Sequence, residues 1–377
     1  MDERLQAILR GIRNDDLALV AGGALGTGRS PVDAPPALSE ILAVHNEDRT
    51  IGIVKVSGTS DCRPWSAVAK LLDMSIAAPE RLIGVTAPEH EEIVYEKCYF
   101  VDDGVPLRPA KCYLVSRPSE TLKVLWLEDL TAARGAPFTL DEIERMARHF
   151  GQWNGLHALR PVELAFPLGF DSYARRYGWR SDERVLDLRA IEDHPATRAM
   201  YENGPIGMAF EFNELMKRLI AQAKSLPHSL CFGDCSAGKM FFLAGETVAI
   251  DWASLTNDPL GVDGGCVIGS GISWGRDFAL VAKNERALFE SYLGGLVASG
   301  WHGNRDDLRC AYFGQLGFYL SVMATVPVLV ASPDREDVNR EFLERRFQLP
   351  LEEIPLHARG VVDVLPSYIA ELKALLD

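Results

Sequence analysis

This chain of 377 residues lacks any unbroken apolar run near the roughly 18 residues that a membrane-spanning helix needs. The best candidate, residues 318–331, is too short and contains Pro327, so no spanning helix and no membrane partner is expected. The start, MDERLQAILRGIRNDD, mixes charges through its first turns and has no apolar centre of the kind a secretory signal carries. A disulfide framework is lacking as well. Seven cysteines are an odd number, and no Cys/His pair at zinc spacing accompanies Cys231 and Cys235, so reduced thiols in a cytoplasm are expected. Positive charge is also in short supply. The 39 basic against 53 acidic side chains give a formal net charge of -14, which repels duplex nucleic acid and anionic membranes. No internal repeat and no low-complexity tract is seen. A composition of 47% hydrophobic and 24% charged residues excludes disorder, collagen and coiled coil. The length, set against about 150 residues per domain, predicts two packed lobes.

Residues 1–45 read as an amphipathic helix followed by a Gly/Pro-rich surface loop, VAGGALGTGRSPVDAPP. IGIVKVSG and WSAVAKLL are short β-type runs around the turn signal GTSDCRP and predict a hairpin. A helix over residues 88–98 and two strands, AKCYLVSR and KVLWLEDL, follow. Beyond Leu130 the pattern turns helical. FTLDEIERMARHFGQWNGLHAL offers Thr139 and Asp141 as caps and sets Ile143, Met146, Ala147, Phe150 and Trp153 on one face. His157, in NGLHAL, reads as a buried helical histidine. Further helices are expected over residues 207–223, 277–299, 306–322 and 335–346 and at the end of the chain.

The chemistry is concentrated in LCFGDCSAGKMFFLAGETVAIDWASL. Two short strands bracket a Gly turn, with Asp234 in the loop before the first and Asp251 at the end of the second. Paired acids in such a loop suit a site where one takes a proton from a hydroxyl and the other holds a divalent cation on phosphate oxygens. Upstream, Lys70 ends an apolar strand, and Glu91 opens a helix from which it can orient that lysine; Glu92 takes its place if the register slips by one. The order Lys, Glu, Asp, Asp is that of a phosphotransferase.

From about Thr50 to Phe318 the chain resembles the aminoglycoside phosphotransferase family, in VAKLL, EHEEIVYEK, LWLEDL, ARHFGQWNGLHAL, FGDCSAGKMFF, AIDWASL and LGVDGG. The resemblance implies an α+β, bilobal protein-kinase-like fold. A strand-rich nucleotide lobe, residues 1–129, would carry an antiparallel sheet plus a helix, and a larger, mainly helical lobe, residues 130–377, would carry the catalytic loop and acceptor site. It implies that Lys70 contacts nucleotide phosphates with Glu91 as its ion-pair partner, and that the stretch Trp126, Glu128, Leu130 meets the purine. Asp234 would be the base, Asp251 the Mg²⁺ ligand and Asp263 a brace beneath the loop. ATP or GTP and Mg²⁺ are the implied cofactors. The implied partner is a small hydroxylated, amine-bearing molecule, with Asp171, Asp182, Glu202 and Glu211 as candidates to attract it, and the chain would be a monomer or homodimer.

Two features depart from the family pattern. Phe232 and Lys239 stand where His-x-Asp-x-x-x-x-Asn has His and Asn. An aromatic ring can fill the first place. A protonated lysine has three donors and no acceptor and cannot ligate a cation, so Lys239 would supply positive charge to the phosphates, pair with Asp234 or Asp251, or end catalysis. The turn HNEDRTIG also puts Glu47 and Asp48 where a triphosphate would be covered, with Arg49 and Thr50 beside them. Three readings stay open: a small-molecule kinase, a pseudokinase that serves as a binding or scaffold protein, and a cleft repurposed for acid/base chemistry through Asp234 and Lys239.

Overall fold

The computed structural model describes most of residues 5–42, then 49–76, 88–97, 104–165, most of 187–273, 278–331 and 349–377, with a few positions between them. The turn with Glu47 and Asp48, and the candidates Asp171 and Asp182, lie outside the described residues. The chain divides into two compact units. One comprises Met1–Asp103, Arg108–Arg134 and Phe241–Ser254, and the other Gly104–Leu107, Gly135–Met240 and Leu255–Asp377.

The first unit is built on a five-stranded antiparallel sheet. Its strands are β1 (Ala37–Leu42), β2 (Thr50–Ser60), β3 (Arg63–Asp73), β5 (Cys112–Ser116) and β6 (Leu122–Glu128), in the order β1-β2-β3-β6-β5. Helix α1 (Asn14–Leu25) packs on β3 and β5, and α2 (Pro88–Lys97) packs on the turn Trp252–Ser254. Strand alternation decides what faces what. Trp65, Ala67, Ala69 and Leu71 of β3 are buried in the cluster that includes Val20 and Ala21 of α1. Val68 and Leu72, on the other face, pack with Leu125 and with Tyr95 of α2, and Lys70 shares that face. Burial of a side chain such as Leu71 stabilises the fold by about 1.5–3 kcal/mol. A second, three-stranded sheet, in the order β4-β9-β8, joins β4 (Leu107–Pro109), β9 (Glu246–Ala249) and β8 (Met240–Leu243).

The hairpin expected from GTSDCRP is present, with Ser60 paired to Arg63 across a two-residue loop. Asp61 and Cys62 both take left-handed backbone, φ 49° and 61°, and Asp33 accepts hydrogen bonds from both of their N–H groups. A two-residue hairpin turn favours Gly at such positions, so Cys62→Gly is expected to stabilise the protein by about 0.5–1 kcal/mol, read as a raised Tm. Cys62 is exposed, whereas Cys231, Cys235, Cys266 and Cys310 are buried. Burial pushes the Cys112 thiol up to about 12 and the Cys310 thiol up to about 11. Of the six described cysteines, Cys62 is therefore expected to be alkylated first at neutral pH, as peptide mass spectrometry over a time course would show.

The glycine-rich passage near the start differs from the surface loop expected of it. VAGGAL continues α1 to Leu25, and the helix ends on left-handed Gly26, with Thr27 N–H donating to Gly22 O at 2.8 Å. Gly22 serves close approach here: a Cβ on it would lie 2.5 Å from the backbone of Arg29. The strand ALSEIL (β1) was also not anticipated. It pairs antiparallel with β2, Ala37 opposite Ser57 and Leu42 opposite Ile53.

The second unit is mainly helical. It contains α3 (Leu140–Leu159), α4 (Pro195–Met200), α5 (Gly207–Ala223), α6 (Val262–Ser273), α7 (Phe278–Ala298), α8 (Arg305–Ala324), α9 (Val326–Ala331) and α10 (Ile354–Leu376). A short antiparallel pair, β7 (His228–Cys231) with β10 (Thr256–Pro259), lies among them. Helix α3 begins as expected, with Thr139 and Glu142 forming a capping box; Ile143, Met146, Ala147, Phe150 and Trp153 are all buried. His157 is buried too and meets Trp153 edge-on at 4.9 Å. The segment Arg305–Ala331, where no spanning helix was expected, is by length and composition apolar enough to cross a membrane, but it is mostly buried inside the protein. It is a core helix, with every residue from Leu308 to Ala324 buried. Arg309 anchors it through Glu285 at 2.6 and 2.9 Å and Glu371 at 2.8 and 3.2 Å. Over residues 335–346, where a helix was expected, the first part instead pairs Asp334–Arg335 with Val338–Asn339 as β11 and β12, while the described positions Arg340, Leu343 and Glu344 are helical. Asp, Asn and Val there are indifferent helix formers.

Candidate active site

In the first unit, β3 and α2 bring Lys70 and Glu91 together. Lys70 Nζ donates to Glu91 Oε2 at 2.6 Å and to Asp251 Oδ1 at 2.7 Å. Glu91 is fully buried and its Oε1 accepts from Trp252 N–H at 3.3 Å. Helix register separates the two adjacent glutamates, because Glu92 points instead to Arg117 and Lys123. Burial by itself lowers the Lys70 ammonium's pKa, but Asp251 and Glu91 outweigh it and the net pKa is raised. The charged ammonium's contribution to folding is therefore fully present below the ordinary lysine range and is lost only as pH rises through the higher folded value. Two carboxylates against one ammonium give the trio a net charge of -1. Asp251 adopts left-handed backbone, φ 64°, an uncommon state for a non-Gly residue and one that is enriched at functional sites. Its side chain is 32% exposed.

The expected purine-contacting stretch lies in β6 and just beyond it. Trp126 sits between Ala69 of β3 and Leu114 of β5, and its indole donates to Ser116 Oγ at 3.0 Å. The Glu128 carboxylate takes Arg108 at 2.6 and 3.1 Å, and Leu130 is buried beside Ala110 and Val248.

In the second unit, the loop after β7 presents Asp234. Gly233, at φ 79°, makes the left-handed bend that a side-chain-bearing residue disfavours. Phe232 fills the space beneath the loop, stacked on Phe150 with centroids 6.1 Å apart. Asp263, fully buried in the first turn of α6, accepts from Phe232 N–H at 2.8 Å, Gly233 N–H at 2.9 Å and Asn154 Nδ2 at 2.9 Å. Burial, opposed by these donors, leaves its carboxyl above the usual range. Lys239 closes the short turn Ala237–Lys239, and its Nζ donates to Asp234 Oδ2 at 2.8 Å. Their side chains are 23% and 34% exposed.

Sequence reasoning missed most of this loop's support. Asn154 also donates to Leu230 O at 2.9 Å and accepts from Tyr292 at 2.9 Å. Cys266 Sγ accepts from Cys235 N–H at 3.1 Å, and Ser270 donates to Cys235 O at 2.9 Å. Asp263, Cys266 and Ser270 fall at i, i+3 and i+7, one face of α6; that spacing in VDGGCVIGS was the available signal. Two acidic candidates for drawing an amine-bearing molecule are held by α10: Glu202 pairs with Arg359, and Glu211 with Lys373 at 2.5 Å.

No protein-family model and no curated protein matches the sequence significantly. Solved structures do match. The crystal structure of a choline kinase from Cryptosporidium parvum Iowa II is similar over 91% of this chain and 94% of its own, with a TM-score of 0.51 at 12% identity. That of an aminoglycoside phosphotransferase from Alicyclobacillus acidocaldarius is similar over 88% and 94%, with a TM-score of 0.50 at 11% identity. The chain thus has the α+β protein-kinase-like fold of these small-molecule kinases.

Proposed function

We propose that this protein is a nucleotide-dependent O-phosphotransferase acting on a small hydroxylated molecule. The observation that carries the reading is the Lys70, Glu91, Asp251 trio in a kinase-like fold. Glu91 holds the Lys70 ammonium in place, and the ammonium binds nucleotide phosphate oxygens. Asp251 fits Mg²⁺: it is a hard oxygen donor in a trio of net negative charge. Mg²⁺ usually keeps several waters and takes one or two carboxylates together with substrate phosphates. When bound, Mg²⁺ neutralises charge on the phosphate oxygens. Asp234 orients the acceptor hydroxyl and takes its proton as the oxygen bonds to phosphorus and the nucleoside diphosphate leaves. Because the backbones of Trp126 and Glu128 are both paired within the sheet, Asp129 and Leu130 at the end of that stretch are assigned to the nucleobase of ATP or GTP.

The test is transfer from γ-labelled ATP or GTP with Mg²⁺ to amino alcohols, amino sugars and nucleosides. The first two classes lead because the similar structures are a choline kinase and an aminoglycoside phosphotransferase. Label is expected on at least one acceptor, and Lys70→Met is expected to abolish it. Absence of label on every acceptor would overturn the proposal. One observation favours a second reading, a pseudokinase: the 2.8 Å ion pair between Lys239 and Asp234 engages the base. Under that reading nucleotide binds, no phosphate moves, and Asp234→Asn has no functional effect.

A further inference from the structure

We infer that this protein works with a single divalent cation and that the Lys239 ammonium supplies the charge a second one would bring. The inference rests on the phosphotransferase reading. In kinase catalytic loops the Asn of Asp-x-x-x-x-Asn ligates a second metal ion, and the same spacing here runs from Asp234 to Lys239. The local geometry does not fit a cation at that position. The Lys239 ammonium lies 2.8 Å from Asp234 Oδ2. It has no lone pair to give a metal while protonated, and a divalent ion beside it would meet like charge at short range.

Two further observations hold Lys239 beside Asp234. Its backbone is fixed, with Lys239 N–H donating to Ser236 O at 2.9 Å in the turn that opens β8. The loop residue next to Asp234 is also gripped from three sides, by Asp263, Cys266 and Ser270 of α6 acting on Cys235. A fixed turn and a braced loop hold the ammonium and the carboxylate in register. Both side chains are part-exposed, so the ammonium is open to a phosphoryl oxygen when an acceptor hydroxyl is held at Asp234. One positive charge on a side chain thus does the work of an ion, as a guanidinium does when it stabilises a phosphoryl transition state.

The experiment counts Mn²⁺ bound per chain in the presence of AMP-PNP, by electron paramagnetic resonance of free Mn²⁺. One ion is expected for the unaltered protein and for Lys239→Ala, and two for Lys239→Asn. Phosphoryl transfer should fall about 10²–10³-fold in Lys239→Ala and recover in part in Lys239→Arg. Two ions on the unaltered protein would overturn the inference while leaving the phosphotransferase reading intact, and this count stands even if a variant fails to fold. A count of one on Lys239→Asn would overturn the claim that Lys239 excludes the second ion. No binding of AMP-PNP at all would overturn the phosphotransferase reading, and this inference with it.

Discussion

Replacement of Asp234 by Asn is expected to lower the rate of phosphoryl transfer by about 10²–10⁴-fold, the usual contribution of a positioned general base. The change is nearly isosteric and removes one negative charge at a part-exposed site, so folding and nucleotide affinity should be unchanged. Lys239 then loses an ionic partner at 2.8 Å, and its ammonium keeps a neutral amide oxygen in the same place. The loss should therefore fall on kcat, with KM for nucleotide preserved, a split that marks an interaction made in the transition state. Steady-state kinetics with ATP and the best acceptor from the panel would measure it. Unchanged kcat would exclude Asp234 as the base.

Replacement of Asp263 by Ala carries the largest expected effect on stability. The carboxylate is fully buried and accepts from Phe232 N–H, Gly233 N–H and Asn154 Nδ2 within 2.9 Å, with Cys235 Sγ at 3.4 Å. Each buried donor left without an acceptor costs about 1–3 kcal/mol, and the small cavity adds to this. A loss of about 3–5 kcal/mol is expected, a large share of the roughly 5–15 kcal/mol that holds a typical native fold together. For a unit of this size that corresponds to a fall in Tm of about 6–20 °C. Differential scanning calorimetry would record it. Asp263→Asn should cost less, since one oxygen still accepts while its amide faces other donors. A Tm within a degree or two of the unaltered protein would show that the loop is held by something else.

The two predictions separate the parts of the site that were legible in the sequence from those that were not. Lys70, Glu91, Asp234 and Asp251 stand in an order that could be read along the chain, and β3, α2 and β6 follow local periodicity. The capping box at Thr139 and Glu142 is local by nature. What the sequence left open was pairing over distance. Whether Glu91 or Glu92 meets Lys70 depends on how α2 rotates against β3, and one residue of register moves a carboxylate about 100° around a helix. Whether Lys239 pairs with Asp234 depends on the turn at Ala237–Lys239. The Asn154, Asp263 and Tyr292 network joins three helices distant in sequence, and the three contacts of α6 become visible only when its face is matched to a loop about 30 residues earlier. The glycines of α1 misled for a different reason: Gly is both a turn residue and a close-packing residue, and composition alone does not tell which use is made of it.

The same contrast applies to α8. With α9 it forms a segment apolar enough to cross a membrane, and burial of every residue from Leu308 to Ala324 in the protein core explains that composition. Near its start Arg309 is buried with Glu285, pairs with the part-exposed Glu371 and lies against the rings of Phe289, Tyr312 and Phe313, and four of the five N–H donors of its guanidinium reach a carboxylate.

The central claim is that the Lys70, Glu91, Asp251 trio is a phosphate and metal site. Isothermal titration calorimetry of ATP into the protein, with and without Mg²⁺ and with Lys70→Met and Asp251→Asn, tests it most directly. The account predicts binding of Mg²⁺-ATP that is lost in Lys70→Met and that no longer depends on Mg²⁺ in Asp251→Asn. Nucleotide binding that needs neither Mg²⁺ nor Lys70 would contradict it.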